Sequence, residues 1–227
     1  MRKNIYKFKK EDFNIEAANF ISDRIKSFEN KPVHIALSGG NTPLPILELL
    51  KEKEIKWDLI SFFMVDERCV PLDSDRSNFN NIDKIFFSHI TSKSYSMVHE
   101  KGDYKMNAIQ YEELIKTKVP ISSNGVPKFD LVLLGMGDDG HTASLFPETE
   151  ALLEKSKSVV YNEVPQLNSE RITLTYPVLF NAEEILVLAK GKKKLQIIDE
   201  IHNGKETGFP IEKITNIVEN LKWLVAL

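Results

Sequence analysis

Four times in this sequence a short apolar run stops abruptly at a polar or glycine-rich cluster. Val33–Leu37 runs into Ser38-Gly-Gly-Asn-Thr42, Leu59–Val65 into Asp66-Glu-Arg68, Phe129–Gly135 into Asp138-Asp-Gly-His141, and Ile185–Ala189 into Lys190–Lys194. Apolar runs of this length, bounded by turn residues, read as buried strands. The stretches between them read as helices. Residues 12–30 place Ala18, Ile21, Ile25 and Phe28 at helical spacing, Thr42-Pro43 is an N-cap followed by a first-position proline, and residues 43–53, 104–118 and 191–201 complete the set. Arg171–Thr175 and Leu221–Leu227 read as further strands, the last as a closing edge strand. The alternation predicts an α/β fold, an open, largely parallel sheet with helices on both faces. All strands of a parallel sheet end along one edge, so clusters scattered from Ser38 to Lys194 should converge there.

Each cluster offers a different chemistry. Gly135 and Gly137 release the third strand into a tight turn that delivers Asp138, Asp139 and His141. His141 is the residue type whose ordinary pKa lets it exchange a proton near neutrality. Ser38, Gly39, Gly40, Asn41 and Thr42 combine small side chains, backbone N–H groups and a helix start, which suits a phosphate; no Gly-Lys-Ser/Thr follows, so this is not a Walker A loop. Lys192–Lys194 set cations at another helix start, where they are unfavourable unless an anion is near, and two of the three are expected to be merely solvated. Arg68 beside Asp66 and Glu67 can orient a substrate oxygen or stabilise developing negative charge. Arg171 has the character of an anion clamp, although it stands before a strand rather than after one.

Composition narrows the classes. At 227 residues, 42% hydrophobic and 28% charged, the chain suits a single domain spanning 1–227. A net charge of −3 gives no pull toward nucleic acid or anionic membranes. The single cysteine, Cys69, excludes an intrachain disulfide or a multi-cysteine metal site and reads as an inert loop residue. His34, His89, His99 and His202 read as structural or solvated, and no His/Glu spacing suggests zinc, so no metal or cofactor is expected. The opening stretch MRKNIYKFKKEDF lacks a signal-peptide core and no apolar run is long enough to span a membrane, which together predict a cytoplasmic protein. A monomer is the default expectation.

Taken together, Ser38-Gly-Gly-Asn-Thr-Pro43, Asp66-Glu-Arg-Cys-Val-Pro71 with Ser77-Asn78, Gly135-Met-Gly-Asp-Asp-Gly-His-Thr-Ala-Ser-Leu-Phe-Pro147, Arg171-Ile-Thr-Leu-Thr175 and Gly191-Lys-Lys-Lys194 resemble the 6-phosphogluconolactonase family. The resemblance runs from about residue 33 to the end. It implies an open α/β fold shared with glucosamine-6-phosphate deaminases, and hydrolysis of 6-phosphoglucono-1,5-lactone in the oxidative pentose phosphate pathway. Deaminases of this fold carry Asp-Gly-His-Ile-Ala-Phe-Asn-Glu-Pro, whose glutamate assists the histidine. Here that position is Phe146, and Asp66-Glu67-Arg68 stands where the deaminases have Asp-Glu-Tyr. Both departures point to the lactonase branch. A sugar-phosphate sensor of this fold would need a helix-turn-helix, for which the residues before Val33 leave no room.

The expected mechanism is direct hydrolysis. His141 serves as general base, Asp139 or Asp66 orients the imidazole, and Arg68 with N–H groups near Gly39 and Gly40 stabilises the oxyanion. The Ser38–Thr42 loop, Arg171 and Lys194 hold the phosphate. No Gly-x-Ser-x-Gly elbow is present, and a reactive δ-lactone does not require one.

Overall fold

The computed structural model describes residues 4–28, 31–99 and 102–227. In chain order its strands and α-helices are β1 (Ile5–Phe8), α1 (Phe13–Lys26), β2 (Val33–Leu37), α2 (Pro43–Leu50), β3 (Ile60–Met64), β4 (Asp66–Arg68), α3 (Asn78–Ile85), β5 (Lys93–Tyr95), α4 (Tyr104–Lys118), β6 (Leu131–Gly135), β7 (Val159–Val164), β8 (Ser169–Leu174), α5 (Tyr176–Phe180), β9 (Ile185–Lys190), α6 (Lys192–His202), α7 (Pro210–Ile217) and β10 (Leu221–Ala226).

Seven strands form one sheet in the order β1-β10-β9-β6-β2-β3-β5, and every pairing in it is parallel. Parallel sheets need cover on both faces, and their strands are accordingly apolar throughout. Leu131–Leu134 of β6 and Ile185–Ala189 of β9 are all buried. Helices α1, α2 and α3 pack in sequence against one another, and the crossover helices that follow β5 belong to the opposite face. That division follows from right-handed crossovers, because the chain leaves β2 in one direction toward β3 and β5, and later runs the opposite way from β6 to β9 and β10. The reversal leaves a crevice between the carboxyl ends of β2 and β6, the place where open α/β sheets bind ligands.

The structure corrects several expectations. Strand β10 is not an edge. It lies between β9 and β1 with five of its six residues buried, and the edge belongs to β1, a short, partly exposed strand bearing Lys7. The Arg171 segment does not join the main sheet. It forms β8, the centre of an antiparallel three-stranded sheet β4-β8-β7, so Asp66–Arg68 is itself a strand and not a loop. Helix α1 ends at Lys26, and residues 29–30 of the expected helix lie outside the described residues. Thr42 stands at the head of α2 but makes no side-chain capping bond. With φ −83° and ψ −47° it is already helical, and that geometry does not suit a cap. Among the described residues, no helix is long and apolar enough to cross a membrane.

Candidate active site

A pocket of about 280 Å³ opens over the crevice. It is lined by Ser38, Gly39, Gly40, Asn41 and Thr42 after β2, Asp66 and Arg68 of β4, His141 after β6, Arg171 of β8 and Lys194 of α6. The four clusters do converge. Asp139 stands behind the imidazole rather than on the lining, and Lys192 and Lys193 are exposed while Lys194 is half-buried.

The imidazole is held from three sides. His141 Nδ1 lies 2.5 Å from Asp139 Oδ1, and the His141 backbone N–H donates to the same oxygen at 3.2 Å. The ring stacks on Phe146 with centroids 4.0 Å apart. It also packs over Gly137, where an added Cβ would meet the ring at 2.2 Å, so the turn admits only glycine there. Burial works to raise the Asp139 carboxyl, but the hydrogen bond and charge of His141 outweigh it and hold Asp139 below its ordinary value of 3.8. An ionised Asp139 selects the tautomer with hydrogen on Nδ1, which leaves Nε2 free to accept a proton.

Asp66, the other candidate for orienting His141, has a different partner. Its Oδ2 accepts from Ser144 Oγ at 2.6 Å, and burial pushes its carboxyl up against the opposing pull of Ser144, Arg171, His141 and Arg68. Ser144 follows Ala143, which adopts φ +51°, a left-handed conformation that is strained for a residue with a Cβ and lies on the pocket wall.

The cationic side is built by strand register. Arg68 of β4 stands directly opposite Arg171 of β8. Directly opposed residues of an antiparallel pair share a face, and like charges there repel. Arg171 donates to Ser169 Oγ and to Glu170 O at 2.9 Å, and Arg68 to Arg76 O at 2.7 Å. Among the described residues neither guanidinium forms an ion pair with a carboxylate. Arg171 is only 8% exposed, and that burial pulls its pKa down. On the glycine loop, Ser38 Oγ is buried without a hydrogen-bond partner. An opposed arginine pair and an orphan hydroxyl on one pocket suit an anionic ligand.

Sequence reasoning missed part of the lining. Asn78, Ala143, Ser144 and Phe146 come from segments it had quoted without assigning them to the site, whereas Leu167 enters from the β7–β8 turn and carries no signal in the sequence. Glu67 faces away from the pocket and is fully buried. Burial raises its carboxyl, opposed by hydrogen bonds from Phe79, Asn78, Arg68 and Ser77. Cys69 is inert, since burial pushes its thiol up to about 12.

The sequence profile described as glucosamine-6-phosphate isomerases/6-phosphogluconolactonase matches residues 9–223. A 6-phosphogluconolactonase of Chlamydia pneumoniae is 35% identical over 201 residues, covering 85% of this chain and 75% of that relative. One of Thermotoga maritima is 35% identical over 203 residues, covering 88% and 86%. The crystal structure of a 6-phosphogluconolactonase from Thermotoga maritima superposes with a TM-score of 0.81 at 31% identity over 99% of both chains. That of the Trypanosoma brucei enzyme gives 0.87 at 27% identity, covering 98% and 95%.

Proposed function

The chain belongs to the glucosamine-6-phosphate isomerase/6-phosphogluconolactonase family, and from that membership we propose that it hydrolyses 6-phospho-D-glucono-1,5-lactone to 6-phospho-D-gluconate. The observation that carries this reading is the combination, on one pocket, of a carboxylate-oriented imidazole and two opposed arginines. The first moves a proton, and the second supplies positive charge for the substrate's two negative groups, the developing oxyanion beside Arg68 and the phosphate beside Arg171.

His141 Nε2 takes a proton from water as the water oxygen attacks the lactone carbonyl. Asp139 holds the ring and stabilises the imidazolium that results. The tetrahedral oxyanion is met by N–H groups at Gly39 and Gly40, with Arg68 at its side. Collapse breaks the bond to the ring oxygen, which takes the proton back from His141 and leaves a carboxylic acid that ionises. Arg171, Lys194 and the Ser38–Thr42 loop hold the phosphate, so binding energy remote from the carbonyl positions it for attack. Asp66 lies close enough to offset part of the mutual repulsion of Arg68 and Arg171. Phe146 stacks on His141 and offers no ionisable group, which suits hydrolysis by a single imidazole–carboxylate pair.

Two assays side by side test the reading: acid release from the phosphorylated lactone and ammonia release from glucosamine 6-phosphate. Acid release alone is the expected result. Ammonia release without lactone hydrolysis overturns the proposal.

A further inference from the structure

The geometry points to Glu67 as a positioning residue for the anion-binding half of this site, an assignment that rests on reading that half as the phosphate subsite. Successive side chains of a strand face opposite ways. In β4, Asp66 and Arg68 therefore face the pocket, and Glu67 faces beneath it, where it is fully buried.

There the Glu67 carboxylate gathers four donors. Oε1 accepts from the backbone N–H of Arg68 and of Asn78, each at 2.7 Å. Oε2 accepts from Phe79 N–H at 2.8 Å and Ser77 Oγ at 2.9 Å. Three of these donors belong to the start of α3, so a single carboxylate closes the amino end of that helix and favours it electrostatically. The same anchor fixes Asn78. Its Nδ2 donates to Asp66 O at 3.1 Å, and its side chain fills the space over Gly39, where an added Cβ would lie 2.6 Å away. Glu67 thus ties the backbone of Arg68 to a helix that braces both Asp66 and the glycine loop. The separation between the arginine pair on one side of the pocket and the Ser38–Thr42 loop on the other is set from underneath.

This role predicts an effect of opposite sign to that of charge alone. Removing a buried negative charge close to Arg68 and Arg171 should tighten anion binding if charge were all that Glu67 supplied. In Glu67→Gln the amide nitrogen meets at least one backbone N–H in either orientation, Arg68 and Asn78 on one side or Phe79 on the other, so the anchor loosens and binding weakens.

The test measures affinity of the full chain for inorganic phosphate and for 6-phosphogluconate by calorimetry, alongside turnover of the phosphorylated lactone and of glucono-1,5-lactone. Glu67→Gln is expected to weaken both ligands by about tenfold and to raise KM for the phosphorylated lactone. Turnover of glucono-1,5-lactone should fall by less than that of the phosphorylated lactone, its loss coming only from the Arg68 and Gly39–Gly40 groups that both substrates share. Asn78→Ala should weaken phosphate in the same direction, and the double variant should lose little more than either single one, because the two act through one connection. Equal or tighter phosphate binding by Glu67→Gln, or additive losses in the double variant, overturns the assignment. If Glu67→Gln does not fold, Asn78→Ala decides, and unchanged phosphate affinity in it is the overturning result. Wild-type protein that binds phosphate but fails to hydrolyse the lactone sinks the proposed activity and leaves the Glu67 comparison intact. Wild-type protein that binds no phosphate overturns both.

Discussion

The two edges of the seven-stranded sheet carry similar residues and treat them differently. At the amino-terminal edge, Glu184 just before β9 is 1% exposed and meets Arg24 and Lys222, each at 2.5 Å. Asp130 just before β6 accepts from Lys31 at 3.0 Å and from the His34 N–H at 2.8 Å. Both carboxylates, one buried and one half-buried, have cationic or N–H partners. At the carboxyl edge two arginines stand opposed without an ion pair among the described residues, a buried hydroxyl has no partner, and Ala143 is strained. One edge is compensated within the fold, and the other leaves cationic and polar groups uncompensated among the described residues, as the proposed anion site requires. Buried polar atoms without partners also occur singly at Ser22, Ser92 and Trp223, so what distinguishes the crevice is the coincidence of several unmet rules on one pocket.

That contrast can be broken from either side, and the largest effect is expected at His141. Replacing it with Ala should lower kcat for the phosphorylated lactone by roughly 10²–10⁴-fold, with KM and melting temperature little changed. Near-wild-type turnover by the folded variant would remove His141 from the chemistry. At the compensated edge the signature reverses. Glu184→Ala should cost about 3–5 kcal/mol of stability by leaving Arg24 and Lys222 without their shared partner, yet kcat at a permissive temperature should be unchanged. A stability loss well under 1 kcal/mol in urea melts would show that this edge is not compensated by Glu184.

Arg171→Met separates the two edges most cleanly. Relief of the like-charge opposition should leave stability unchanged or raise it by up to about 1 kcal/mol. Loss of charged hydrogen bonds to phosphate, by contrast, should raise KM by roughly 10- to 100-fold. Destabilisation without a KM change would make Arg171 a structural residue.

The smallest effect is one of pH. Asp139 is depressed in the folded protein, so its contribution to stability is present above its unfolded value of 3.8 and is lost as pH falls through its lower folded value. Asp66 is raised by burial, so its contribution is present below 3.8 and is lost as pH rises through its folded value. Near neutral pH, denaturant melts should therefore show Asp139→Asn less stable than wild type and Asp66→Asn relatively favoured, and both differences should shrink as the solution is acidified below 3.8. The reverse order would contradict the ion-pair geometry.

The legible and illegible parts of the molecule differ by a physical criterion. The central strands were readable because burial on both faces leaves an uninterrupted apolar run, as in Leu131–Leu134. His141 and its turn were readable, but the sequence left Asp139 and Asp66 as equal candidates for its partner; in the structure Asp139, two residues away in the same turn, makes the hydrogen bond. Position at a helix start left three lysines equivalent, and Lys194 was named on the family resemblance; it is the half-buried one of the three and lines the pocket. The second sheet was hidden because β4 and β8 carry Asp66-Glu67-Arg68 and Ser169-Glu170-Arg171, strands whose charged residues are satisfied by side-chain and backbone hydrogen bonds rather than announced by hydrophobicity. The opposition of Arg68 and Arg171 is a matter of register between distant segments, and no local pattern encodes it. Edge position was misjudged for β10 because a single sequence does not reveal that Ile5–Phe8 returns to pair beside it.

That last pairing shapes how the protein is made. Ile5 pairs with Trp223 and Phe8 with Ala226, so β1 meets its sole neighbour in the sheet across roughly two hundred residues of intervening chain. At ribosomal rates of about 5–20 residues per second, β1 waits tens of seconds before β10 emerges. Strand β9 ends only about thirty residues ahead of β10, so for the last few seconds of that interval it has no partner on its outer side and offers an open row of amide and carbonyl groups to any other nascent chain. The brevity of β1 and the lysine within it make the waiting segment itself a poor template for self-association. Assembly of the sheet is thus a race between translation of the β10 segment and capture of β9, in which slower synthesis lengthens exposure and chaperone occupancy shortens it.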